Sequence, residues 1–121
     1  MNSVIKSVMT FTALAAMLGT LSLSPALAGD DNVMKEGKKL AFDRKKGNCL
    51  ACHQIKGGVS PGNIGPPLLY MKARYPDKEK LRIQIFDATV ANPDTMMPPF
   101  GKHGVLSKKE ISKIVDFIYT L

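Results

Sequence analysis

Within five residues, Cys49-Leu50-Ala51-Cys52-His53, the chain sets two thiols three positions apart and an imidazole directly after the second. The chain has no further cysteine, and its one other histidine is His103. Thiols and imidazole grouped this way converge on whatever they bind, so the remaining chain must fold around that point. It has little else to fold around. Among 121 residues there is no tryptophan, and there are only five phenylalanines and three tyrosines. Residues 1–28 carry Lys6 near the start, no charge from Val8 to Leu23, and Ala26-Leu27-Ala28 after Pro25. A positive end, an apolar middle and a small-residue exit predict, with an uncleaved membrane anchor as the alternative, a cleaved secretory signal peptide. Its removal leaves 93 residues, 29–121, as one domain, and lowers the net charge from +7 to +6 because only Lys6 is lost. A domain of that size buries about 60–65% of the surface its unfolded chain exposes. So thin a core gains from a disulfide, a partner or a large apolar cofactor.

The pattern C-x-x-C-H is the attachment motif of c-type haem. Each thiol adds across one vinyl group to give a thioether, and the three-residue separation matches neighbouring vinyls. The histidine that follows is then held beneath the iron as its proximal ligand, so Cys49 and Cys52 are the covalent anchors and His53 the ligand. Other chemistries compete for the same residues. A thioredoxin-type redox pair requires a βαβ setting, of which the chain shows no sign. A zinc site would draw on Cys49, Cys52, His53 and His103. A plain disulfide between the two cysteines closes a loop too short to restrict the unfolded chain much.

Haem iron takes a sixth ligand, and the stretch Asn92-Pro93-Asp94-Thr95-Met96-Met97-Pro98-Pro99-Phe100-Gly101 offers sulfur in a stiff setting. A soft thioether stabilises ferrous iron and raises the reduction potential. The prolines fix φ around it. Met97, directly before Pro98-Pro99, is the expected distal ligand, with Met96 the alternative and His103 a third candidate. Between the two ligands lies Gly65-Pro66-Pro67-Leu68. A ligating histidine donates its other N–H to an oxygen, and the Pro66 carbonyl is the candidate acceptor. Phe100 either covers the haem or, with Pro99, offers an apolar docking surface.

The remainder reads as helix and loop. Val33, Gly37, Leu40 and Ala41 recur on one helical face within 30–46. Gly37 costs that helix about 1 kcal/mol against alanine, which implies that something packs closely there. Residues 54–67 contain four glycines and three prolines and form no regular element. Residues 68–75 predict a short helix stopped by Pro76. Asp77 N-caps a third helix, broad in its apolar arc and running toward Pro93. Ser107 and Glu110 form a capping box before the stripe Ile111, Ile114, Val115, Ile118. The fold class is all-α, three to four helices around one covalently bound haem, with long haem-covering loops.

The order of these parts resembles class I cytochromes c, in which the terminal helices cross with a glycine near an aromatic, here Gly37 and Phe117. A narrower resemblance is to the SoxX family of sulfur-oxidation cytochromes, carried by GNCLACH, PGNIGPPL, ARYPDKEKLRIQIFDATVANPDTMMPPFGKHGVLSKKEI and IVDFIYTL. That resemblance implies Met97 as distal ligand. It implies a SoxA-like cytochrome partner, dihaem or monohaem, in a heterodimer that oxidatively couples thiosulfate to a cysteine of a SoxYZ-like carrier. It implies that electrons pass on to a downstream cytochrome. The chain would then be the non-catalytic haem subunit of an L-cysteine S-thiosulfotransferase complex, with the reactive cysteine on the partner. The alternative is a free periplasmic monohaem electron carrier of the same fold. Either way, one haem c, periplasmic localisation and no membrane integration after processing are expected. The lysines are not interleaved with aromatic platforms, which argues against nucleic acid as a partner.

Overall fold

The computed structural model describes residues 28–121, and over these the chain is helical with no strand. The signal peptide expected over 1–28 lies outside the described residues apart from its last position. Four α-helices follow in order: α1 (Ala28–Phe42), α2 (Met71–Arg74), α3 (Lys78–Phe86) and α4 (Lys108–Ile118), with 3₁₀ turns at Cys49–Ala51 and Ala88–Val90. This is the all-α architecture expected from the sequence.

α4 starts where its capping box places it. Glu110 N donates to Ser107 Oγ at 3.3 Å, and Ser107 N donates to Glu110 Oε2 at 2.8 Å. Two orphan donors of the first turn are thereby satisfied. The stripe Ile111, Ile114, Val115, Phe117 and Ile118 is buried, against α1 on one side and α3 on the other. α1 presents Gly37 and Ala41, both buried, to the same crossing. A Cβ at Gly37 would stand 2.0 Å from the Lys113 carbonyl oxygen. The two backbones are in contact there, which explains a glycine in mid-helix. Phe42 and Phe117 pack tilted beside the crossing, ring centroids 6.3 Å apart, within the range for a favourable aromatic pair. The Lys113–Glu36 ion pair joins the same two helices.

Two helix boundaries differ from expectation for one physical reason. α1 ends at Phe42 rather than Lys46 because Asp43 takes over the following donors. Its side chain accepts from Lys45 N at 2.8 Å, and its carbonyl accepts from Lys46 N and Asn48 N. α3 ends at Phe86, well short of Pro93, because Asp87 is extended and its carboxylate accepts from Thr89 N at 3.1 Å. Local aspartate bonds of this kind compete with helix propagation. Ile83 within α3 and Val90 beyond its end are both exposed, so α3 is less deeply buried than its broad apolar arc suggests. The short helix expected over 68–75 contracts to α2, since Tyr70 before it is left-handed at φ 53°.

Candidate haem site

The cysteine motif occupies the turn after α1. Asn48 adopts φ 45°, a left-handed conformation asparagine tolerates better than most residues, and it redirects the chain into the Cys49–Ala51 turn. There Cys52 N and His53 N both donate to the Cys49 carbonyl, at 3.2 and 2.9 Å. One carbonyl thus gathers both thiols and the imidazole into a single turn. Lys46, just before it, pairs with Glu110 of α4 at 2.9 Å, tying the motif to the helix crossing.

The glycine- and proline-rich loop 54–67 is fastened to this turn through its backbone. Gly62 N donates to Leu50 O at 2.9 Å, Gly65 N to Cys52 O at 2.8 Å, and Leu68 N to Gln54 O at 2.9 Å. Gly65 lies flat on the imidazole: a Cβ there would come within 2.4 Å of His53 Cε1. The next residue supplies the carbonyl. His53 Nδ1 is 2.7 Å from Pro66 O. A carbonyl only accepts, so Nδ1 carries the hydrogen and Nε2 keeps a lone pair for a metal. Arg74 Nη1 donates to the Pro67 carbonyl at 2.8 Å, which braces the same segment from α2.

The methionine segment is fastened to the end of α3. Gly101 N and Lys102 N both donate to Phe86 O, and Lys102 Nζ pairs with Asp87 Oδ2 at 2.9 Å. The Thr89 hydroxyl and Lys102 hold the Asp87 carboxyl below its ordinary value, so it is ionised and able to bind both. Within the segment, Met97 N donates to Thr95 Oγ1 at 3.2 Å. Met96 and Met97 point differently. Met96 is 79% exposed, whereas Met97 is half-buried and packs against the core.

Cys49, Cys52, His53, Pro66, Met97 and Met96 all line one cavity of about 420 Å³. Its other walls are mostly apolar, drawn from Leu68, Met71, Leu81, Ile85, Phe100, Leu106 and Ile118. Phe100 is thus a half-buried cavity wall, while Ile64 and Met96 supply exposed apolar surface among the lining residues. The volume lies within the range of small-molecule sites. The donor set fits a porphyrin: two thiols, an imidazole with one nitrogen free, and thioether sulfur among hydrocarbon walls. No disulfide joins Cys49 to Cys52. Burial pushes the Cys49 thiol up to about 11, so at neutral pH it is an uncharged sulfur suited to an apolar wall. His103 is an exposed loop residue outside the cavity. No group of three or more histidine, cysteine or acidic side chains able to hold a metal ion occurs among the described residues, so the four-ligand zinc alternative does not assemble.

Sequence reasoning passed over Gln84, a cavity residue of α3. The signal was present: a polar side chain three residues after Leu81 on an otherwise apolar helix face. Arg74 was also missed, because its target is a backbone carbonyl.

Comparison with known proteins assigns the architecture. Residues 32–118 match the family described as cytochrome c oxidase, cbb3-type, subunit III, and the chain belongs to this family of c-type cytochrome, electron-transfer domains. The fold is that of SoxX. The crystal structure of SoxXA from P. pantotrophus superposes with a TM-score of 0.64 at 28% identity, covering 71% of this chain and 79% of that one. The domain is therefore a SoxX-like cytochrome. Two curated relatives are similar over parts of their length. The gluconate 2-dehydrogenase cytochrome c subunit of Pantoea cypripedii is 31% identical over 124 residues, 86% of this chain and 27% of that protein. An uncharacterized lipoprotein of Aquifex aeolicus is 36% identical over 76 residues, 62% of this chain and 37% of that protein. The chain therefore spans about a third of the curated relatives it matches. Among the described residues, no helix is long and apolar enough to cross a membrane.

Proposed function

We propose that the domain binds one haem c covalently and transfers single electrons as the SoxX-like subunit of a SoxAX-type heterodimer. The observation that carries the reading is the convergence of Cys49, Cys52, His53 and Met97 on one apolar cavity, with His53 already oriented by Pro66 at 2.7 Å. In this reading Cys49 and Cys52 form the thioethers, His53 Nε2 is the proximal ligand and Met97 Sδ the distal one. The burial contrast between Met97 and Met96 supports that choice. The haem supplies a one-electron couple. The protein's part is to hold both ligands through either oxidation state and to keep water from the iron. Gly65 and Pro66 fix the imidazole, and Pro98, Pro99 and the bonds to Phe86 fix the sulfur's segment.

His53 and Met97 would both be engaged in holding the haem, and the sequence has no third cysteine to carry a sulfur substrate. Covalent sulfur chemistry then falls to a SoxA-like partner bearing the reactive cysteine, which couples thiosulfate to a SoxYZ-like carrier in the periplasm. This domain accepts the electrons released and passes them to a downstream cytochrome. The similarity to SoxXA, a complex by its name, favours this role over that of a free carrier. Purification from periplasm under native conditions tests it. The expected result is a red protein with a haem adduct by mass, copurifying with a second cytochrome. A red protein that elutes alone supports the free carrier, and a colourless full-length chain refutes the haem assignment.

A further inference from the structure

α3 lays Leu81, Gln84 and Ile85 along the cavity wall. Two of the three are hydrocarbon and one is an amide, on a face where burial favours hydrocarbon. The amide has a partner. Gln84 Nε2 donates to Met97 Sδ at 3.8 Å. The relative position of helix and methionine segment is fixed independently, by the bonds of Gly101 N and Lys102 N to Phe86 O at 3.0 and 3.1 Å. We propose that Gln84 is a positioning residue for the distal ligand, acting through the Met97 sulfur. This rests on Met97 being that ligand. A thioether sulfur has two lone pairs. Gln84 takes one, which turns the sulfur and leaves the second for the iron. The N–H also withdraws electron density from the sulfur. Ferric iron depends more on donation from its ligands than ferrous iron does, so the contact disfavours the ferric state and raises the reduction potential.

The test uses the haem-loaded protein. Gln84→Leu removes the donor and keeps the bulk, so the expected result is a lower potential with no loss of thermal stability. The one-electron reduction constant should fall about three- to tenfold, the scale of one neutral hydrogen bond, which is about 28–59 mV at 59 mV per tenfold. The sulfur-to-iron charge-transfer band of the oxidised protein should shift or weaken in parallel. A purely structural role for Gln84 would move stability and leave potential and band in place. Should Gln84→Leu yield no loaded protein, Gln84→Ala gives the same readout without added bulk. Met97→Ala measured alongside separates two failures. If the band survives in Met97→Ala, the distal assignment is wrong and the role of Gln84 falls with it. If the band is lost there, but the Gln84 variants keep the parent potential and band, the proposal for Gln84 alone is overturned.

Discussion

Gly37→Ala puts the helix crossing to a quantitative test. An alanine Cβ would lie 2.0 Å from the Lys113 carbonyl oxygen, 2.7 Å from its carbon and 3.0 Å from Phe117 Cβ. Ordinary contact begins at 3.4 Å, so α1 and α4 must part by about 1.4 Å. The nearest atoms are backbone and cannot swing aside as a side chain would. Overpacking of this kind costs about 1–3 kcal/mol, and a backbone clash belongs at the upper end. Alanine returns about 1 kcal/mol of helix propensity. The net destabilisation is about 2 kcal/mol. At about 4–8 °C per kcal/mol for a domain of this size, Tm should fall by about 8–16 °C. Thermal unfolding followed by far-UV circular dichroism, with parent and variant both carrying haem, measures it. An unchanged or raised Tm would show that propensity dominates at Gly37 and that the helices are not in backbone contact.

Three further outcomes are expected. Met97→Ala should abolish the sulfur-to-iron band of the oxidised protein while Met96→Ala retains it; the reverse pattern moves the ligand by one residue. Gly65→Ala would bring a Cβ within 2.4 Å of His53 Cε1, so the yield of loaded protein, read as haem absorbance per polypeptide, should drop; a parent-like yield and spectrum would contradict the close packing. The Glu110 carboxyl is lowered to about 2, chiefly by the backbone N–H of Ser107 and then by Lys46. Because its folded value lies below the ordinary 4.5, its contribution is present above about 4.5 and lost as pH falls toward 2. Urea titrations should therefore find Glu110→Gln less stable than parent at neutral pH, with the gap closing through that acid window; a gap independent of pH counts against an ionic contribution.

What the sequence disclosed depended on the range of the interactions involved. The Ser107–Glu110 box and the stripe from Ile111 to Ile118 act within a turn or two, and spacing alone locates α4. Gly37 signalled its own anomaly, a costly residue in a helix, and the cause is a carbonyl 76 positions away. Whether His103 could join Cys49, Cys52 and His53 as a fourth ligand is not set by spacing, and the fold leaves it exposed and outside the cavity. The ends of α1 and α3 were misjudged because apolar periodicity and the position of Pro93 carry no sign of the bonds that Asp43 and Asp87 make. Each bonds the backbone just ahead and stops the helix. Gln84 was passed over because its role needs Met97 beside it, and the two are 13 positions apart, across the end of α3 and a 3₁₀ turn. The contrast between Met96 and Met97 likewise has no sequence signature, since adjacent residues share a composition but not a direction.

The loop 54–67 is joined to the cysteine turn by main-chain atoms, while its side chains at Val59, Ser60, Asn63 and Ile64 are directed to solvent. The main chain of these fourteen residues thus sets the geometry of the turn, and the outward side chains take no part in it. Val59, Ser60 and Asn63 can vary without touching the backbone bonds that hold His53, whereas Ile64 also lines the cavity. Gly62 and Gly65 have no such latitude, because a methyl group at either would collide with the motif they support. A domain built this way tolerates change on the outside of the loop and very little at its two inner glycines.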